Sequence, residues 1–257
     1  MCCLRLVWGV VLPVCTICRR REGVFDVHGG FLCVPCFIKV FEGKVRYCIR
    51  RLNILRPVDS IVIPLVCDFR FISMVKVLAP LEVKVRRCRV LVLVDSRVVD
   101  VAGRLVDKLS SLPNFTVMLY EFNGVRSAGF LDFYRGLIMA LSRVIDFRVG
   151  WKIAAPITLE EYAYLTMLYL SNYKYRRLNV KVKVVTPFIR LSSVEVEYYC
   201  RVKGVPLVKA YEDSCLDRFV KASIEHKGLW YSLFETLKKL DYVLEPIKYF
   251  EVVVGLS

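Results

Sequence analysis

Three observations predict an α/β protein, a doubly wound, mainly parallel sheet behind a small N-terminal four-cysteine ribbon. First, Ile61–Val66 and Val90–Val94 are near-continuous apolar runs, as in strands buried on both faces. Second, amphipathic segments alternate with such runs. Val98, Val101, Ala102, Leu105, Val106 and Leu109, for example, recur at three- and four-residue spacing. Third, two Cys-x-x-Cys knuckles, Cys15-Thr-Ile-Cys18 and Cys33-Val-Pro-Cys36, open the chain.

Four thiolates in two close pairs suit tetrahedral Zn²⁺ with bonds of about 2.3 Å. Each short knuckle aims its two sulfurs at one point, and Gly29-Gly30 marks the hairpin that brings the second pair across. Cys15, Cys18, Cys33 and Cys36 are therefore the expected metal ligands. The competing reading is four ordinary buried cysteines. His28 is read as a turn residue, because four cysteines already saturate zinc. Cys2, Cys3, Cys48, Cys67, Cys88 and Cys200 have no pair spacing and are assigned to the core or left without a role.

After the ribbon, Phe37, Ile38, Phe41, Val45, Cys48, Ile49 and Leu52 define one face of a helix that Pro57 stops. Ile61–Val66 is the first strand, and a short helix is expected over 69–78. Val90–Val94, Phe115–Tyr120 and Trp151–Ala155 are further strands, with a helix over 130–145 before the last. Thr158-Leu-Glu-Glu161 has the form of a capping box opening a helix over 159–170. Val180–Val184 alternates as an edge strand does. Helices are expected near 194–202, ended by Gly204, and in two segments of the last third. The βαβα rhythm is that of a doubly wound sheet. The expected divisions are 1–36 for an N-terminal strand and ribbon, 37–58 for a connecting basic helix, 59–210 for the α/β domain and 211–257 for a C-terminal helical region.

The composition is 56% hydrophobic with a mean hydropathy of +0.47, enough for a sizeable core. No apolar stretch approaches the ~20 residues of a membrane span. The apolar start, Met1 to Pro13, leads directly into a knuckle and reads as a strand rather than a signal peptide. The 11 cysteines are odd in number and the best-spaced four suit metal, which argues for a cytoplasmic chain rather than a disulfide framework. Lys and Arg total 39 against 24 Asp and Glu, for a net charge of +15, so a polyanionic partner is favoured. The basic clusters are Arg19-Arg20-Arg21, Arg50-Arg51 and Lys174 with Arg176 and Arg177, interleaved by Tyr173 and Tyr175.

The order of parts resembles the PP-loop tRNA thiolases, which make 2-thiouridine or 2-thiocytidine in tRNA. The resemblance spans roughly residues 14 to 245. It is carried by Cys36-Phe37 and Phe41-Glu-Gly-Lys-Val45 after the knuckles, by Lys152-Ile-Ala154, and by Pro187, Glu195, Glu197, Tyr199, Lys203 and Gly204. It implies a PP-loop fold, tRNA as partner and a tRNA-facing ribbon whose basic clusters meet phosphate.

The departures fall in the chemistry. The family's Ser-Gly-Gly-x-Asp-Ser loop matches Val66-Cys67-Asp68-Phe69-Arg70-Phe71, which lacks glycine and serine and carries two aromatics. Its Gly-His-Asn-x-Asp-Asp matches Pro156 to Glu161, where only the acidic pair, Glu160 and Glu161, remains. The family's central Cys-x-x-Cys has no counterpart around Ser127 and Phe130, and Cys215 alone stands near the later cysteine position. The expectation is a degenerate member without catalytic residues, holding zinc but neither ATP nor an iron–sulfur cluster. It would bind tRNA or pair with an active thiolase, since active and degenerate paralogues form heteromers in the related family. The alternatives are an active ATP-dependent sulfurtransferase with an atypical loop, relying on Cys67, Asp68, Arg70, Glu160 and Glu161, and a zinc-stabilised scaffold with no RNA role.

Overall fold

The computed structural model describes residues 6–7, 10–11, 13–27, 29–51, 59–85, 88–122, 125, 129–147, 150–170, 183–225 and 232. Two short antiparallel pairs come first: β1 (Leu6–Val7) with β2 (Val10–Val11), and β3 (Phe25–Val27) with β4 (Gly30–Leu32). The second pair is the hairpin between the knuckles, and Gly29 turns it at φ +80°, a conformation glycine adopts without strain. Helix α1 (Val34–Arg51) follows. Phe37, Phe41, Val45 and Cys48, four or three apart, are all completely buried, so the apolar face read in the sequence is the packed one. Pro35 lies in the first turn, where its missing N–H has no helical partner to lose.

Five parallel strands form the main sheet in the order β7-β6-β5-β8-β9. They are β5 (Ser60–Leu65), β6 (Arg89–Asp95), β7 (Phe115–Tyr120), β8 (Trp151–Ala154) and β9 (Lys183–Val185). The order reverses beside β5, so the chain runs outward first to β6 and β7, then on the other side to β8 and β9. A crevice therefore opens at the carboxyl ends of β5 and β8, the switch point of such sheets. β5 carries Pro64, which has no N–H to give a ladder. Its pairing with β8 stops at Val62, so the proline lies past the end of that ladder.

The connecting helices are α2 (Phe69–Val85), α3 (Val99–Ser110), α4 (Phe130–Ser142) and α5 (Leu159–Leu170), then α6 (Ser193–Val202) and α7 (Ser214–Glu225). α2 corrects the short helix expected over 69–78: it continues through Pro80 to Val85. Among the described residues no helix is long and apolar enough to cross a membrane.

α6 locks the ribbon's helix to the sheet. Tyr199 stacks on Phe41 of α1 with centroids 4.2 Å apart. Beside it, the buried Glu195 closes a capping box: it accepts from the Ser192 N–H at 2.9 Å while its own N–H donates to Ser192 Oγ. Lys44 of α1 donates to the same carboxylate at 2.6 Å. Glu195→Ala removes both the cap and the link between α1 and α6. It is expected to cost about 2–3 kcal/mol, measured by urea unfolding, with Lys44→Ala costing less because Lys44 is partly solvated.

Candidate metal centre and switch-point crevice

The four knuckle cysteines converge. Their Sγ atoms all lie within 4.8 Å of one another, and Cys18 and Cys33 are 3.7 Å apart. Cys15 and Cys33 are buried and Cys18 and Cys36 half-buried, Cys36 being supplied by the first turn of α1. Although burial opposes it, backbone hydrogen bonds from Cys18, Cys33 and Ile17 pull the Cys15 thiol down to about 6. Hydrogen bonding to Cys33, with burial, pushes Cys36 up to about 12. The group thus keeps its protons on some sulfurs while favouring thiolate on others, and a bound cation would displace the remaining protons.

The crevice is built from the loops after β5 and β8. Asp68, completely buried, is the cap of α2. Its Oδ1 accepts from the Arg70 N–H and from Arg70 Nε, both at 2.9 Å. Its Oδ2 accepts from Arg70 Nη2 at 2.6 Å and from the Ala210 N–H at 3.0 Å. The other end of the guanidinium, Nη1, donates to Glu161 Oε1 and to the Tyr211 hydroxyl. Tyr211 in turn donates to Glu161. Glu161 Oε2 accepts from the Thr158 N–H at 2.8 Å, completing the capping box read in the sequence. Asp68, Arg70, Glu161 and Tyr211 are all buried. Burial opposes the Arg70 charge, but Asp68, Tyr211 and Glu161 outweigh it and hold the guanidinium protonated.

Glu160 points elsewhere. Its Oε2 accepts from the N–H and hydroxyl of Ser193 at 3.0 and 3.2 Å, tying α5 to the start of α6. Burial pushes its carboxyl up to about 7 despite those hydrogen bonds. Beside the ion network lies a cavity of about 340 Å³ lined by Cys67, Arg97, Phe133, Lys209 and Tyr211 among others.

The two aromatics of the loop part company. Both are buried, but the Phe69 ring lies against the Arg70 guanidinium, whose carbon is 5.4 Å from the ring centroid, whereas Phe71 packs 6.2 Å from Phe133 on α4. Val66 is buried as well. Arg70 binds both Asp68 and Glu161, whereas Cys67 lines the neighbouring cavity. Tyr211, the Ala210 N–H and Ser193 were not identified from sequence. Tyr211 and Ala210 lie in a segment without periodicity or motif, and Ser193, at the start of a predicted helix, had no local sign of its partner Glu160. Arg19, Arg20, Arg21 and Arg50 are exposed, and Arg51 ends α1. Lys174, Arg176, Arg177, Tyr173, Tyr175, His28 and Ser127 lie outside the described residues.

No protein-family model matches the sequence, and no curated protein does. Among solved structures the chain is similar to the U34-tRNA thiolase NcsA from Methanococcus maripaludis with its [4Fe-4S] cluster. The match has a TM-score of 0.66 at 15% identity and covers 90% of this chain and 88% of that one. The chain has the fold of a PP-loop tRNA thiolase. The neighbour also overturns one expectation. It carries a [4Fe-4S] cluster, and four cysteines are the ligand number that such a cluster takes. Cys15, Cys18, Cys33 and Cys36 could hold one, so the expectation against an iron–sulfur cluster does not stand.

Two outcomes follow from this geometry. Protein purified without chelator is expected to contain zinc or iron in fixed proportion to chain. Cys15→Ser should lose the metal and loosen the ribbon, and metal-free native protein with four freely titrating thiols would remove the site. For Glu160, a carboxyl raised from its ordinary 4.5 to about 7 takes up a proton on folding between those values. Stability therefore falls as pH rises through that window and levels off above it. Glu160→Gln should abolish that slope, raising the melting temperature at about pH 8 but not near pH 4.5.

Proposed function

We propose that this chain is a non-catalytic, tRNA-binding member of a tRNA-thiolation system and works as the partner of an active thiolase. The observation that carries this reading is the Asp68–Arg70–Glu161–Tyr211 network. In the PP-loop family the first loop presents backbone N–H groups to pyrophosphate, with glycines where a Cβ would collide. Here the loop offers its Arg70 N–H to Asp68 of the same loop, and the crevice between the two loops is spanned by side chains that satisfy one another. A polyphosphate would have to separate Arg70 from two buried carboxylates and leave those carboxylates facing it. Breaking such a buried pair is costly, and the exposed anions repel the ligand. The net charge of +15 and the exposed Arg19, Arg20, Arg21 and Arg50 support an RNA partner. At the ribbon, Cys15, Cys18, Cys33 and Cys36 offer a complete four-thiolate set, open to zinc or to an iron–sulfur cluster, and metal analysis tells zinc from iron.

The cavity beside Cys67 is the feature an active-enzyme reading would build on, and calorimetry separates the two. Metal-loaded protein titrated with Mg-ATP is expected to show no binding at millimolar concentration and no pyrophosphate release with tRNA present. A micromolar dissociation constant would favour the active enzyme. Binding to tRNA should weaken by ~0.7 to 0.9 log units per log unit of salt for each phosphate contacted. Equal, salt-insensitive affinity for tRNA and heparin would count against RNA recognition.

A further inference from the structure

The two edges of the main sheet are unlike. The β9 segment reads Val180-Lys181-Val182-Lys183-Val184, with lysines of the kind that keep an edge from pairing. β7 carries no such device. Its six residues, Phe115-Thr116-Val117-Met118-Leu119-Tyr120, include no charge and no proline. Among the described residues no strand pairs with its outer edge. Leu119 is 69% exposed, more than any other large apolar side chain described, and Met118 is 48% exposed. The Tyr120 hydroxyl donates to the Ala140 carbonyl at 3.1 Å, so the Met118 side of the strand is the one that α4 and its half-exposed Met139 flank. An uncharged edge with exposed apolar side chains, on a chain of net charge +15, is a pairing surface.

The backbone sets the register of that pairing. The Val90 N–H of β6 donates to the Asn114 carbonyl at 3.0 Å, and Val90 lies opposite Phe115. In a parallel ladder every second residue of a strand bonds to the same neighbour. Asn114, Thr116, Met118 and Tyr120 therefore turn their backbone groups to β6, and Val117 and Leu119 turn theirs outward. Such a row is its own complement. When a second copy approaches by a two-fold rotation about Met118, Val117 and Leu119 exchange hydrogen bonds with Leu119 and Val117 of that copy. Met118 then stands opposite Met118, and Thr116 opposite Tyr120. Every cross-strand pair within β7 is free of charge, so no like charges oppose one another. Glu121, just past the strand, falls opposite Phe115, which keeps the two Glu121 residues about 20 Å apart. An unrelated strand would find the same backbone row without matched side chains. The second copy places an apolar residue opposite both Met118 and Leu119.

We infer that β7 pairs antiparallel with β7 of a second copy of this chain, centred on Met118, and joins the two five-stranded sheets into one. This inference goes beyond the tRNA-thiolation reading and stands without it.

Sedimentation equilibrium of the full, metal-loaded chain is the test. The wild type should sediment at twice the chain mass of 29.7 kDa. Met118→Lys and Met118→Glu each set like charges face to face at the two-fold and should weaken the pairing at least about tenfold. An equimolar mixture of the two should restore the dimer, because opposite charges then meet. Leu119→Pro removes an outward N–H and none from the β6 ladder, so it should separate the copies while metal content and circular dichroism stay unchanged. A wild type that stays monomeric at ~100 µM, where weak interfaces of modest size associate, overturns the inference. A dimer that persists in all three variants overturns it too, because the copies then meet elsewhere. A monomeric mixture of Met118→Lys with Met118→Glu removes the register centred on Met118. If the wild type is monomeric and Met118→Lys releases a co-purifying thiolase, the edge serves that partner: the inference falls and the proposed function is strengthened.

Discussion

The buried pairing of Arg70 with Asp68 and Glu161 is the constraint on which the rest of this architecture depends. Two carboxylates and one guanidinium are almost fully removed from water, a state that is tolerable only because nearly every polar atom in the group has a partner. Asp68 caps α2, Glu161 caps α5, and Tyr211 brings in the segment before α7. One cation therefore fixes the entry of two helices and the return of a third chain segment. Removing Arg70 would leave two buried carboxylates without their cation. The tie crosses the space beyond the carboxyl ends of β5 and β8, where their ladder has already stopped at Val62.

A second set of polar contacts continues from that tie toward the ribbon. Glu160, next to Glu161, holds the start of α6 through Ser193. Two residues further on, Glu195 holds Lys44 of α1, and α1 begins at the second knuckle. The metal ligands and the crevice are thus connected through α1, α6 and α5 by buried carboxylates. The ribbon is a fixed attachment of the sheet rather than a tethered appendage.

Much of this was legible in the sequence where one residue type has one physical use. The apolar runs of β5 and β6 admit no solvent-facing side, Thr158 and Glu161 fit a box of fixed spacing, and paired cysteines point to metal. What was hidden depended on partners distant in sequence. Nothing local marks Tyr211 or Ala210 as neighbours of Asp68. Nor does the sequence reveal that the turn into α2 sends the Phe71 ring toward α4 while the Phe69 ring stays against the Arg70 guanidinium. The helix expected over 69–78 runs on through Pro80 to Val85. The case against an iron–sulfur cluster looked for cysteines in the middle of the chain, although the four at its start already supply a complete ligand set.

The sheet itself is uneven. Among the described residues, β5, β6 and β7 are joined over six residue pairs at each junction, β5–β8 and β8–β9 over three. Cooperative opening follows such differences in paired length. Amide protons on the β8–β9 side are therefore the ones that reach solvent through a partial excursion, whereas those of β5 and β6 wait for the whole molecule to unfold. Because Glu161 lies just beyond β8 and Arg70 just beyond β5, the ion network fastens the looser flank to the firmer one. The short β5–β8 seam thus runs beneath the buried contact of Arg70 with Asp68 and Glu161.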